Sequence, residues 1–182
     1  SGYGFNKSHA VSYAVNSYHC AWLMTYFEQE WIQAYLEACS GNPKKLSKAL
    51  SEVKALSYKI VPIDINKAGK AWTCVDENSL MPSFLSCKGV GAAAVEEILQ
   101  NRPYSSIEDL LWEEDGTWKH AKFNKRAIES LIKIRAFDSL GCVGPEGQFK
   151  SYSHMHSVMM DNFNDIRKRT KKDPYRGKNN FY

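Results

Sequence analysis

The chain has 182 residues, 24 Lys and Arg against 20 Asp and Glu for a net charge of +4, and 43% hydrophobic residues. That content supports one large domain or two small ones with a real core and excludes wholesale disorder. The mild basicity permits a polyanionic partner without demanding one, and it is uneven: residues 167–178 hold seven Lys/Arg and one Asp. Cys20, Cys39, Cys74, Cys87 and Cys142 are scattered and form no Cys-x-x-Cys. They read as reduced thiols of a cytosolic protein, not as a zinc site or a disulfide framework. No signal peptide and no apolar run of membrane-spanning length is present, so no membrane partner is expected. Without an initiator Met, the chain is expected to be a piece of something longer.

Two glycines in Gly2-Tyr3-Gly4 lead into the first helical pattern, in which Val11, Val15, Tyr18, Trp22 and Tyr26 fall on one stripe from Ala10 onward. Asn6 or Ser8 would cap it. The start of this helix gathers Asn6, Lys7, Ser8 and His9, which offer a cation, a hydroxyl, a ring N–H and free backbone donors. That set suits a phosphate or triphosphate. The alternative is a capped helix with Lys7 solvated and His9 packed. Residues 28–40 read as a second helix with Trp31, Tyr35 and Ala38 on one side and Gly41 as its stop. Asn42 and Pro43 open a third, with Leu46, Leu50, Val53 and Leu56 apolar and Lys44, Lys45, Lys48 and Lys54 on a solvated face. Short connections predict an antiparallel bundle.

At Lys59 the period changes to two. Val61, Ile63 and Ile65 alternate with Pro62, Asp64 and Asn66, which predicts an edge strand. Residues 71–75 read as its partner, with room for a third short strand before Pro82.

The stretch Leu85-Ser86-Cys87-Lys88-Gly89-Val90-Gly91-Ala92-Ala93-Ala94-Val95-Glu96-Glu97-Ile98 is the pattern of two short helices joined by a tight hairpin. Val90 would plug the turn onto the core, and the two glycines would let another chain come close. A helix opening at Gly91 aims its first unpaired N–H groups outward, where an anion is favoured. With Lys88 alongside, Lys88, Gly89, Val90, Gly91 and Ala92 form a candidate grip on a nucleic-acid phosphate that reads no bases. An ordinary αα-turn with a glycine cap is the plainer reading of Gly-x-Gly alone.

Ser105 and Ser106 start two overlapping capping boxes ahead of a short helix through Trp112. Asn124 caps a helix over 125–134, and residues 123–141 read as a degraded second hairpin unit in which Asn124, Lys125 and Arg126 could meet phosphate. Residues 144–147 form a linker, and a last helix begins near Gln148. His154 and His156 diverge on a helix and read as surface residues, not metal ligands. The end of the chain, after Arg167, reads as a frayed basic tail.

The opening string Gly-Tyr-Gly-Phe-Asn-Lys-Ser-His-Ala-Val-Ser-Tyr-Ala resembles the fingers region of the C-family bacterial replicative DNA polymerases, the DNA polymerase III alpha subunits. Three further strings follow in that family's order. Pro62-Ile63-Asp64-Ile65-Asn66 is similar to its Pro-x-Asp-Ile-Asn strand, and Lys88-Gly89-Val90-Gly91 to its Ile-Lys-Gly-Val-Gly hairpin. The segments Asn124-Lys125-Arg126, Glu129-Ser130-Leu131-Ile132-Lys133 and Ala136-Phe137-Asp138-Ser139-Leu140-Gly141 resemble its Asn-Lys-Arg…Glu-Ser-Leu-Ile-Lys-Ala-Gly-Ala-Phe-Asp-Ser-Leu-Gly block. The resemblance covers residues 2–141. Where the family has Ala-Gly, this chain has Ile134-Arg135, so the second hairpin lacks its glycine and Arg135 is a candidate substitute contact. Cys87 replaces the family's Ile.

The resemblance implies a mainly α fold: helical fingers with short strands over residues 1–82, a tandem helix-hairpin-helix domain over 83–141, and a C-terminal helix and tail over 142–182. It implies that Asn6, Lys7, Ser8 and His9 lie near an incoming deoxynucleoside triphosphate or the template, and that the hairpins hold duplex primer–template DNA. The implied partners are the polymerase's own palm domain and a sliding clamp, although no clamp-binding peptide is recognised. No Asp-x-Asp motif occurs in this chain, so no catalytic or metal-binding residue is assigned to it. The magnesium such a polymerase uses is expected in the palm. Polymerisation is expected of the parent protein, not of this chain alone, and the divergence and Asn/Lys-rich tail suit a phage-encoded relative. Two other classes stand beside this one: a stand-alone helix-hairpin-helix DNA-binding or scaffold protein, and a protein-interaction module whose basic tail meets an acidic partner.

Overall fold

The computed structural model describes residues 6–167. Its order is α1 (Lys7–Tyr26), α2 (Glu28–Cys39), α3 (Pro43–Ala55), β1 (Lys59–Ile60), β2 (Thr73–Asp76), β3 (Ser79–Met81), a 3-10 turn (Phe84–Ser86), α4 (Ala92–Asn101), α5 (Ile107–Leu111), α6 (Lys125–Lys133), a second 3-10 turn (Asp138–Leu140), α7 (Tyr152–Asp161) and α8 (Phe163–Arg167). The fold is mainly α with one small sheet, as the sequence predicts. No described helix is long and apolar enough to cross a membrane.

Capping residues set most helix starts. Asn6 Oδ1 accepts the Ser8 N–H at 3.1 Å, so Asn6 and not Ser8 caps α1, and the helix begins three residues before the expected Ala10. Asn42 accepts the N–H groups of both Lys44 and Lys45 ahead of Pro43, Ser106 accepts that of Asp109, and Asn124 that of Ala127.

The described residues form two cores. The first holds Ile32, Leu36 and Cys39 of α2, Ala49 and Val53 of α3, and Tyr58, Trp72 and Leu80. The expected face of α2 therefore turns, whereas that of α3 holds, with Val53 buried and Leu46 and Leu50 packed against the same core. Trp31 and Tyr35 of α2 stack on each other at 5.1 Å, half-buried, while Ile32 and Leu36 go inside. Ala49 of α3 is fully buried as well, and Leu56, just past the end of α3, stays exposed. The second core is larger and runs from Ile63 and Ile65 through α4, α5 and α6 to Met155, Met159, Phe163 and Ile166.

The sheet stands between the cores. Its order is β1-β3-β2, with β1 parallel and β2 antiparallel to β3. The expected pairing of the first two strands is thus replaced by a shared partner, and β1 is an edge only two residues long. Pro62 has no N–H for a ladder, and beyond it Ile65 donates instead to Ala136 O at 2.8 Å. Alternation along β3 sends Leu80 to the first core and Met81 to the second. Residues 61–68, grouped by sequence with the helical region, pack with the hairpin region. Asn66 exchanges hydrogen bonds with Tyr104, accepting its N–H and donating to its carbonyl, each at 2.8 Å. Helix α7 likewise packs on α6 and is no separate appendage.

Candidate nucleic-acid interface

The first hairpin is built as its residues predict, with one difference. The leading helix is only the turn Phe84–Ser86, because six residues separate Pro82 from Gly89 and leave space for a single tight turn. Phe84 is fully buried and Val90 nearly so, and these two plug the loop onto the second core. The Val90 N–H closes the turn on Cys87 O at 3.1 Å. Helix α4 then starts with Gly91 as its cap residue, and no side chain caps it. Gly91, Ala92 and Ala93 at its start are exposed, as is Lys88.

The two glycines serve different ends. Gly89 has φ +104°, and a β-carbon there would lie 2.6 Å from Ser130 Oγ and 3.3 Å from Arg126 Cγ. The space expected to admit a second chain is therefore filled at Gly89 by the protein's own α6. At Gly91 nothing lies within 4 Å of a β-carbon, so this is where an outside chain can approach. The same packing carries Arg126 from the second unit to the first hairpin. Exposed Lys88, Arg126 packed beside Gly89, and the open end of α4 thus border the same turn. Neither cation pairs with a carboxylate among the described residues.

The other predicted contacts are committed elsewhere. Asn124 Oδ1 caps α6, and Lys125 Nζ donates to Met160 O at 2.7 Å beside the Phe163 ring. Arg135 takes φ +61°, the left-handed conformation in which the resembling family carries glycine. Its guanidinium lies 3.5 Å from Asp138 and 5.3 Å from the centre of the Tyr152 ring, whose hydroxyl donates to Asp138 at 2.7 Å. The second hairpin keeps its backbone turn, but its cation is engaged and a carboxylate stands beside it.

At the other end, Asn6, Lys7, Ser8 and His9 are all exposed. The Ser8 hydroxyl donates to Asn6 Oδ1 at 2.7 Å, and the His9 ring meets Tyr13 edge-on at 4.6 Å. Asn6 and Ser8 thus satisfy each other, and Lys7 extends from the first turn. Among the described residues, no three His, Cys, Asp or Glu side chains converge as a metal ion requires. His154 accepts the Lys150 N–H, and His156 lies 3.3 Å from Glu129.

Sequence reading missed three residues. Ser130 Oγ donates to Lys88 O at 2.8 Å. Glu97 of α4 places its carboxylate in a run of three backbone donors, the N–H groups of Ala121, Lys122 and Phe123, at 2.8–3.0 Å. Burial alone would raise this carboxyl, yet the three N–H groups together hold it below the usual glutamate range. Buried His120 bonds Leu110 O at 2.6 Å, and its Nδ1, without a hydrogen bond, lies 3.8 Å from Glu97. Burial pushes the His120 imidazole down, so the ring is neutral near pH 7. Glu97 and Ser130 lie inside strings the sequence singles out, but nothing in those strings shows what either side chain meets. Only the fold brings Glu97 to a loop 24–26 residues away or Ser130 to one 42 residues back.

A plugged Gly-x-Gly turn feeding a helix that no side chain caps is followed by a second turn with Arg135 in the left-handed conformation, and residues 57–143 match the family model of the helix-hairpin-helix motif. The chain is 36% identical over 146 residues to the DNA polymerase III subunit alpha of Campylobacter jejuni, 34% over 144 to that of Xylella fastidiosa and 33% over 140 to that of Escherichia coli. Each comparison covers 77% of this chain and 12% of the relative. The chain carries a region similar to the helix-hairpin-helix region of DNA polymerase III alpha subunits, and it spans about 12% of the length of the curated relatives it matches.

Proposed function

We propose that this chain is the part of a replicative DNA polymerase that holds duplex primer–template DNA by its backbone, through the first hairpin. One observation carries the reading: exposed Lys88, Arg126 beside Gly89, and the uncapped start of α4 border one turn, and at Gly91 the missing β-carbon leaves the approach clear. Backbone amides and two cations recognise phosphate and carry no base sequence, as a protein that travels along its template requires. The first hairpin carries the grip and the second serves chiefly as its support. In the same reading α1 belongs to the fingers, and Lys7 at its first turn lies near the triphosphate of the incoming nucleotide. The palm, magnesium and any sliding clamp belong to the rest of the polymerase, in the cytoplasm of a bacterial cell.

Anisotropy of a labelled primer–template duplex across a salt series tests this. The wild type should bind with a salt slope of a few counterions, and Lys88→Ala and Arg126→Ala should each reduce the slope by about 0.9. Slopes unchanged in both variants would show that the basic residues after Arg167 carry the charge, which would favour a basic-tail interaction over a hairpin clasp.

A further inference from the structure

We propose that Ser130 is a positioning residue that holds the first hairpin in its phosphate-binding form. This inference rests on the duplex-binding reading and adds to it a side chain that meets no DNA. The Ser130 hydroxyl donates to Lys88 O at 2.8 Å from across the molecule. The only cis peptide among the described residues is Arg102–Pro103, so the 88–89 peptide is planar and trans, with its carbonyl and N–H pointing in opposite directions. Fixing the Lys88 carbonyl on α6 therefore turns the Gly89 N–H away from α6, towards the exposed side that Lys88 occupies.

Glycine makes this tie necessary. At φ +104° Gly89 occupies backbone space that only a residue without a β-carbon uses freely, and that same freedom lets the 88–89 peptide rotate. A half-turn of the plane would present the Lys88 carbonyl oxygen, not the Gly89 N–H, to a phosphate, exchanging attraction for repulsion. The fit is reciprocal, since any β-carbon on residue 89 would stand 2.6 Å from the Ser130 oxygen. Ser130 and Gly89 form a matched pair, one side chain occupying the volume the other lacks.

The test uses the whole chain and a short fluorescein-labelled duplex of arbitrary sequence. Ser130→Ala should weaken binding about fivefold, the worth of one hydrogen bond, with the salt slope unchanged because no charge is lost. Ser130→Thr, which keeps the hydroxyl, should restore affinity. On titration with the duplex, the Gly89 amide resonance should shift in the wild type and in Ser130→Thr but stay in place in Ser130→Ala, while the Ala92 amide shifts in all three. A merely structural serine would lower the melting temperature and leave the Gly89 amide responding as before, which would overturn the proposal. Equal affinity of Ser130→Ala and wild type would also overturn it while Lys88→Ala still weakens binding. Indifference of Lys88→Ala and Arg126→Ala would instead remove the clasp on which it rests.

Discussion

Gly89 and Gly91 stand two positions apart, and the structure asks different things of them. Gly89 needs both a positive φ and an empty β-position, so Gly89→Ala should destabilise the fold by about 2–3 kcal/mol in urea unfolding. Gly91 has φ −89° and open space, so Gly91→Ala should stay within about 1 kcal/mol of wild type. If it also weakens duplex binding, the loss belongs to the interface and not to folding. Arg135, at φ +61°, invites a second comparison. Arg135→Gly should leave stability within about 1 kcal/mol, because released strain offsets the lost Asp138 and Tyr152 contacts, whereas Arg135→Val should lose more than about 1 kcal/mol. The hairpin was legible in the sequence because Lys88 precedes the Gly-x-Gly and an Ala-rich amphipathic run follows it, but the division of labour between the two glycines was not. It depends on α6, which arrives from residues 125–133.

Acid sensitivity also resides in single residues. The folded-state pKa of Glu97 is lowered, so its contribution is present above about pH 4.3 and is lost as pH falls through the folded value. For His120 the depressed value means that the unfolded chain takes up the proton first, and stability begins to fall once pH drops below about 6.5. Both slopes have the same sign. Urea midpoints against pH should therefore decline below about 6.5 and steepen below about 4.3. Glu97→Gln should flatten the lower limb and reduce stability near pH 7 by about 2 kcal/mol, since a carboxamide presents a donor to donors. An unchanged acid limb in that variant would show that other carboxylates set it.

At the scale of elements, α1 differs from the rest. None of its 20 residues is buried, and Val11, Val15, Tyr18, Trp22 and Tyr26, the stripe expected to face a core, are 44–67% exposed. Periodicity located the helix but not its partner, because a 3.6-residue repeat shows that a face exists and not what covers it. With no buried residue to hold it, α1 should show the fastest amide exchange of the described helices, and α4 and α6 the slowest. Val15→Lys should change stability by less than about 0.5 kcal/mol, whereas Leu36→Ala in α2 should lose about 2–5 kcal/mol. The strands were the least legible elements. An alternating run predicted a strand through Ile65, but Pro62 ended the ladder and the alternation then served packing alone, with Ile63 and Ile65 both in the second core.

For the whole molecule, the fold class and the order of its motifs could be read directly, since local strings and capping residues determine both. The joints between units could not, because Asn66 with Tyr104, Glu97 with residues 121–123, and Ser130 with Lys88 are meetings of distant segments. Two cores share β3 as their wall, and this has a bearing on which length changes the chain can accept. Leu80 and Met81 are neighbours that serve opposite cores, so a residue added to or removed from the turn between β2 and β3 would shift the strand by one place and give each core the other's side chain. Insertions should be accepted at the exposed tip 113–115 or beside Pro145, and rejected at residues 77–78, where one extra letter would misframe both halves of the protein at once.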